Sequence, residues 1–185
     1  MQSNKLMEAL CFDDVLLSPQ YSDIFSRKEV NTSVIVKNLG TLSIPIISSP
    51  MDTITESAMA QAMSMLGGLG IIHRYNTIEE QSQIVKKSIE RGDSLDIAHG
   101  HHVLMRHALS TLRNTFGDDI HIMAGNVATL MAFNHLADWG ADSIRVGVGG
   151  GSICSTRIQT GHGIPTLQSV INCAYSDRDA LLIAD

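Results

Sequence analysis

The chain has 185 residues, 44% of them hydrophobic and 17% charged, the composition of a compact globular domain and not of a disordered segment. A formal net charge of −6 argues against a nucleic-acid-binding surface, which needs clustered Lys and Arg. No apolar run approaches the ~18 residues of a membrane span, and residues 1–10 lack the basic start and apolar core of a signal peptide, so a cytoplasmic protein is expected.

Short apolar runs alternate with longer mixed segments along the chain. Residues 43–49 read as a strand and 51–66 as a helix. Residues 69–73 are apolar again, and 77–91 read as a polar helix opened by a capping box of Thr77 with Glu80. Further strands are expected at 94–98, 121–125, 142–147 and 180–184. Helices are expected at 103–116, 130–139 and 166–174. This rhythm predicts parallel βαβ units in one α/β domain. Polar or glycine residues follow the strands at Ser49, His73, His99, Asn126, Gly147 and Asp185, the catalytic face if the sheet is a (β/α)8 TIM barrel. A doubly wound open sheet is the alternative architecture. Only six strands are counted where a barrel needs eight, so the barrel is expected to be incomplete, with segments missing near 91–94 and after 185.

The three cysteines, Cys11, Cys154 and Cys173, show no CxxC spacing and predict neither a disulfide framework nor a zinc site. Cys173 falls in a helical stretch and reads as core. Cys154 follows Gly147-Val148-Gly149-Gly150-Gly151-Ser152-Ile153 and precedes Ser155-Thr156-Arg157. Four glycines in five residues allow positive φ and close approach to a ligand. The N–H groups of such a loop can bind an anion, or its carbonyls a cation. Nearby N–H dipoles or Arg157 can lower a thiol's pKa and make it a nucleophile. A plain glycine-rich turn with a packed cysteine fits these residues equally well.

That loop, continued by Thr160-Gly161-His162-Gly163-Ile164-Pro165, resembles the signature of the IMP dehydrogenase and GMP reductase family. Other blocks resemble family motifs in the same order: Phe12–Leu17, Ser48–Glu56, Gly67–His73, Ala124–Thr129 and Ile183–Asp185. The resemblance implies a barrel in which Cys154 attacks C2 of a bound purine nucleoside monophosphate and Thr156 is a catalytic partner. It places Ser49, Met51, Gly151, Ser152 and Asp185 against the nucleotide, with Asp185 on the ribose hydroxyls. It places Asp96, Asn126, Arg145 and Gly147 at a nicotinamide cofactor, NAD or NADP. It puts the carbonyls of Gly149, Gly151 and Cys154 around a potassium ion, and it implies a homotetramer. Oxidation of IMP by NAD is favoured over reduction of GMP by NADPH, because Pro50 and His99 stand where reductases more often have Asn. A non-catalytic nucleotide-binding or assembly protein is the reading from another class. Family members carry a further strand near 91–94, and beyond the last strand a flap that activates water. A polypeptide lacking both is expected not to turn over. Gly150, where Pro or Ser is usual, is expected to loosen the loop.

His99, His101, His102 and His107 lack a further ligand at metal spacing and read as a polar loop. Met51, Met59, Met63 and Met65 are expected to pack in the core around one helix.

Overall fold

The computed structural model describes residues 8–36, 39–73, 76–77, 80, 83–84, 100–152 and 154–185, and the backbone of 94–97. An antiparallel hairpin comes first, β1 (Val34–Val36) paired with β2 (Gly40–Leu42). Then follow α1 (Ser57–Met65), β3 (Ile71–Ile72), β4 (Ser94–Ile97), α2 (Val103–Phe116) and β5 (Ile122–Val127). The chain continues through α3 (Leu130–Asp138), β6 (Ser143–Val146), α4 (Thr156–Thr160), α5 (Thr166–Cys173) and β7 (Leu181–Ala184).

Strands β3 to β7 form one parallel sheet in chain order. Each pairs with its predecessor, as in Leu95↔Ile122, Ala124↔Ile144 and Ile144↔Leu182. A doubly wound sheet reverses its order at a switch point; no reversal occurs among the described strands, so the chain is wound one way. The expected strand at 43–49 shrinks to a single parallel bridge, Ile47↔Leu69. Pro45 interrupts it, because proline has no N–H to give a ladder. Ile44 N–H still donates to Gly67 and Ser48 N–H to Leu69, both at 3.0 Å, so the run lies against the sheet edge. Among the described residues the parallel sheet therefore has five strands and a bridge where six strands were expected. Strands β3 and β4 pair directly, Ile71 opposite Ser94.

Successive side chains of a strand point to opposite faces, and the two faces are packed differently. Ile122, Ala124, Ile144 and Val146 are buried against Met105 and Leu109 of α2, Phe133 and Leu136 of α3, and Cys173 of α5. Met123, on the other face, meets Leu42 of the hairpin with Leu69, Ile71 and Ile183. Burying one such large apolar side chain stabilises by about 1.5–3 kcal/mol, so the β5–β6 centre holds the fold. Burial pushes the Cys173 thiol up to about 11, as befits a core cysteine.

Polar residues tie down the N-terminal edges of β5 and β6. The Arg113 guanidinium donates to the carbonyls of Gly140 (2.8 Å), Gly117 (2.9 Å) and Ile120 (3.0 Å) and pairs with the Asp142 carboxylate. Asp142 also accepts the N–H of Ile122 at 2.7 Å. Beside this network His121 is buried against the Ser143 hydroxyl at 2.9 Å. Burial pushes its pKa down, Asp142 opposing and Arg113 assisting, so the ring stays neutral.

The helix expected at 77–91 falls largely outside the described residues, but its capping box is present. Thr77 N–H donates to the Glu80 carboxylate at 2.9 Å, and Glu80 N–H to the Thr77 hydroxyl at 3.2 Å. The methionine expectation is corrected for three of the four: Met51, Met59 and Met65 are exposed, while Met63 is half-buried against Gly68 and Ala60 is the buried residue of α1. Gly70 brings the backbone against Ala60, leaving no depth for longer side chains beneath the helix. His102 is a helix cap, its ring accepting Leu104 N–H at 3.1 Å. His99 lies outside the described residues, and among those described no cluster of three metal-ligating side chains exists. No described helix is long and apolar enough to cross a membrane.

Candidate active site at the C-terminal strand ends

The C-terminal ends of β5, β6 and β7 meet at polar residues. Asn126 donates its amide to the Gly147 carbonyl at 2.8 Å and to the Asp185 carboxylate. Arg145 pairs with the other oxygen of Asp185. The alternation that sends Ile144 and Val146 toward the helices sends Arg145 to the opposite face. Gly147 (φ +149°) lets the chain turn off the sheet, since a Cβ there would stand 3.1 Å from that of Asp185. Four residues expected at a nucleotide or its cofactor thus form one hydrogen-bonded group.

From Gly147 the chain runs out and returns, its base closed by the antiparallel bridge Val148↔Ile164 and the 3.0 Å bond from Ile164 N–H to the Val148 carbonyl. Within this excursion Gly149 adopts φ +75° and approaches the Gly163 backbone so closely that a Cβ would lie 3.0 Å from its Cα. Cys154 is half-buried between Gly151, whose carbonyl accepts its N–H at 3.1 Å, and the short helix α4. The thiol is held below its ordinary range. The Thr156 hydroxyl is the largest cause, then Thr156 N–H, with the N–H groups of Gly149 and Arg157 adding and burial opposing. All four donors favour the anion. The Arg157 side chain turns back over the loop, its Nη1 reaching the carbonyls of Gly149 at 2.7 Å and Gly151 at 2.9 Å.

Other expected residues are placed more loosely. Ser152 and Gly151 are exposed on the loop. Ser49 and Met51 are exposed beyond Ile47, the Ser49 carbonyl accepting the Thr55 hydroxyl at 2.7 Å. Asp96 pairs with Met123 in the β4–β5 ladder, and its side chain is outside the described set.

Sequence reasoning passed over two threonines. Thr55 is fully buried, bonds the Ser48 hydroxyl at 2.9 Å, and accepts His73 N–H at 3.4 Å. It joins the first two strand ends. Thr166 is buried behind the glycine loop, where a Cβ on Gly150 would stand 2.0 Å from its Oγ1 and 3.1 Å from its backbone N. The reading of Gly150 as a loosening residue is thereby corrected: it packs where nothing larger fits. Gly150→Ala is expected to displace the loop and cost about 1–3 kcal/mol. Thermal denaturation should show it as a Tm lower by several degrees, with slower alkylation of Cys154. An unchanged Tm and thiol rate would remove Thr166 from this role.

The family model described as the IMP dehydrogenase / GMP reductase domain matches residues 9–91 and 94–185. An inosine-5'-monophosphate dehydrogenase of Cryptosporidium parvum is 29% identical over 94% of this chain and 60% of its own length. A GMP reductase of Buchnera aphidicola is 33% identical over 89% of this chain and 57% of its own. The crystal structure of inosine 5' monophosphate dehydrogenase from Legionella pneumophila superposes with a TM-score of 0.74 at 37% identity, covering 96% of this chain and 69% of that one. The chain spans about 60% of the length of the first of these relatives. The alignments run over 242 and 199 positions against 185 residues here, so both relatives carry segments this chain lacks.

Proposed function

The chain belongs to the IMP dehydrogenase / GMP reductase family, and from that premise we propose that it is the catalytic part of a purine-nucleotide oxidoreductase working through a covalent bond to Cys154. The observation that carries this reading is the half-buried Cys154 on the glycine loop beyond β6, beside Thr156, whose hydroxyl is the largest influence holding the thiol below its ordinary range. A structural cysteine needs no such donor, as Cys173 illustrates.

On this reading the Cys154 thiolate adds to C2 of the purine of IMP. A nicotinamide cofactor, when bound, accepts the hydride that leaves C2. The remaining thioimidate on Sγ is hydrolysed, giving XMP and returning the thiol. Thr156 stabilises the thiolate before attack and again when sulfur leaves. Asp185 accepts hydrogen bonds from the ribose hydroxyls, held in place by Asn126 and Arg145. Ser152 and the Gly151 N–H face the phosphate, with Ser49 and Met51 along the base. The carboxylate, amide and guanidinium at the strand ends suit the hydroxyls and phosphates of a dinucleotide. Asp96, Asn126, Arg145 and Gly147 form that side of the pocket. The one-way winding of β3 to β7 supports a place within a (β/α)8 barrel; β3 and β4 pair directly, so the further strand expected near 91–94 has no place between them as they stand. A cytoplasmic homotetramer completes the proposal.

IMP oxidation with NAD is the first reading, favoured by Pro50 and by the 37% identity with the Legionella dehydrogenase. GMP reduction with NADPH is the second, favoured by the 33% identity with the Buchnera reductase. The test is alkylation of Cys154 by iodoacetamide, followed by mass spectrometry, with IMP or GMP at saturating concentration. Protection by one of them is expected. On a full-length version that carries the further strand and the flap, IMP with NAD, against GMP with NADPH, then separates the two by nicotinamide absorbance. A Cys154 rate untouched by either nucleotide would refute the proposal.

A further inference from the structure

The carbonyls of Gly149 and Gly151 are two of the three loop oxygens expected around a monovalent cation, that of Cys154 being the third. Backbone carbonyls hold such an ion by replacing its water shell, which requires the oxygens to be free and turned to one point. Those of Gly149 and Gly151 are turned to one point, and a guanidinium nitrogen stands at it, 2.7 Å from one and 2.9 Å from the other. We infer that Arg157 is the resident cation of this loop and takes the place of a monovalent metal ion at the Gly149 and Gly151 carbonyls.

The geometry makes the substitution a built one. Arg157 sits on the first turn of α4, three residues after the nucleophile. Its side chain returns to the carbonyls on either side of Gly150. The stem of that side chain lies against the loop: a Cβ on Gly149 would be 3.3 Å from the Arg157 Cβ, and one on Gly163 3.4 Å. Glycines at these positions leave the path open. A guanidinium stays charged at every working pH and, unlike a free ion, is tethered. Its tethering removes the entropy that a free ion gives up on binding. A second cation entering the same carbonyl pair would meet it at contact distance, so ion and side chain exclude each other. The loop that holds Cys154 should therefore take its working shape without added potassium.

This inference draws on the family resemblance only for the expectation of a cation. Its test uses no nucleotide, so the two can fail separately. Cys154 alkylation by iodoacetamide is followed in potassium chloride and in tetramethylammonium chloride of equal ionic strength. The wild-type rate should be the same in both, and equilibrium dialysis with radioactive rubidium should show no retention. Arg157→Ala opens the carbonyls. Its alkylation rate should differ between the two salts by about fivefold or more, the scale of ordinary ligand-linked coupling, and it should retain rubidium. Arg157→Gln, neutral but similar in length, serves if the alanine variant does not fold. Rubidium retained by the wild type, or a wild-type rate that depends on potassium, overturns the inference. A folded Arg157 variant that gains no ion overturns it equally, since the carbonyls would then form no cation site at all.

Discussion

Cys154→Ser is expected to abolish covalent chemistry while leaving the fold intact. Serine preserves the size of the side chain and the 3.1 Å bond from the backbone N–H to Gly151. Its hydroxyl stays protonated near neutrality, and the donors around it cannot generate an alkoxide. Iodoacetamide should no longer label the loop, and any turnover with IMP or GMP should fall by three orders of magnitude or more, roughly the scale seen when a catalytic nucleophile is removed. Tm should move by less than about one degree, because the site is half-buried and its bonds are local. Thr156→Val sharpens the test. The Thr156 hydroxyl is the largest influence holding the thiol low, so its loss should move the midpoint of the alkylation-pH profile upward. At a pH below that midpoint less thiolate is present, and the rate falls; well above it the two proteins should converge. Retained labelling in Cys154→Ser, or an unmoved midpoint in Thr156→Val, would mean that the loop does not activate this thiol.

Arg113→Ala should produce the largest loss of stability of any single change described. Arg113 and Asp142 each keep only 18% side-chain exposure, and the guanidinium also satisfies three backbone carbonyls. Removing it leaves a carboxylate shielded from water and those carbonyls without their donor. Breaking such a pair costs about 3–5 kcal/mol, much of it the unpaired charge that remains. At roughly 2–4 °C per kcal/mol for a chain this size, thermal denaturation should show a fall on the order of ten degrees. Arg113→Lys keeps the charge and loses the planar fork, so it should recover only part of that fall. The network lies at the N-terminal edges of β5 and β6, the end opposite Cys154. Cys154 alkylation at low temperature should therefore be unchanged in both variants. A Tm shift of one or two degrees for Arg113→Ala would show the pair to be a surface contact in effect.

The parts of the fold with strong periodicity were legible before any coordinates. Helix α2 spans the expected residues, and β5, β6, α3, α5 and β7 differ only at their ends. Their apolar residues repeat cleanly because one face of each element is buried. The 43–49 run misled because composition cannot tell a laddered strand from an edge broken at Pro45. The hairpin of β1 and β2 went unread, although Val34-Ile35-Val36 ahead of Gly40 carries the signal. Cys154 and Asp185 are singled out only by resemblance. Thr166 and the reach of Arg157 are not legible, because each acts across a turn on a residue distant in sequence. Nothing in Gly150 itself says that a buried hydroxyl stands behind it.

The bonds around Asp185 also have a consequence for sugars. A carboxylate offers about four lone-pair positions, and Asn126 and Arg145 occupy one on each oxygen. Two remain, matching the two O–H groups of a ribose if it binds there as proposed. A 2'-deoxyribose brings only one, leaving a lone pair that bound ligand has cut off from water. The carboxylate would thus favour the RNA precursor over its DNA counterpart by omission, with no side chain in the way of either.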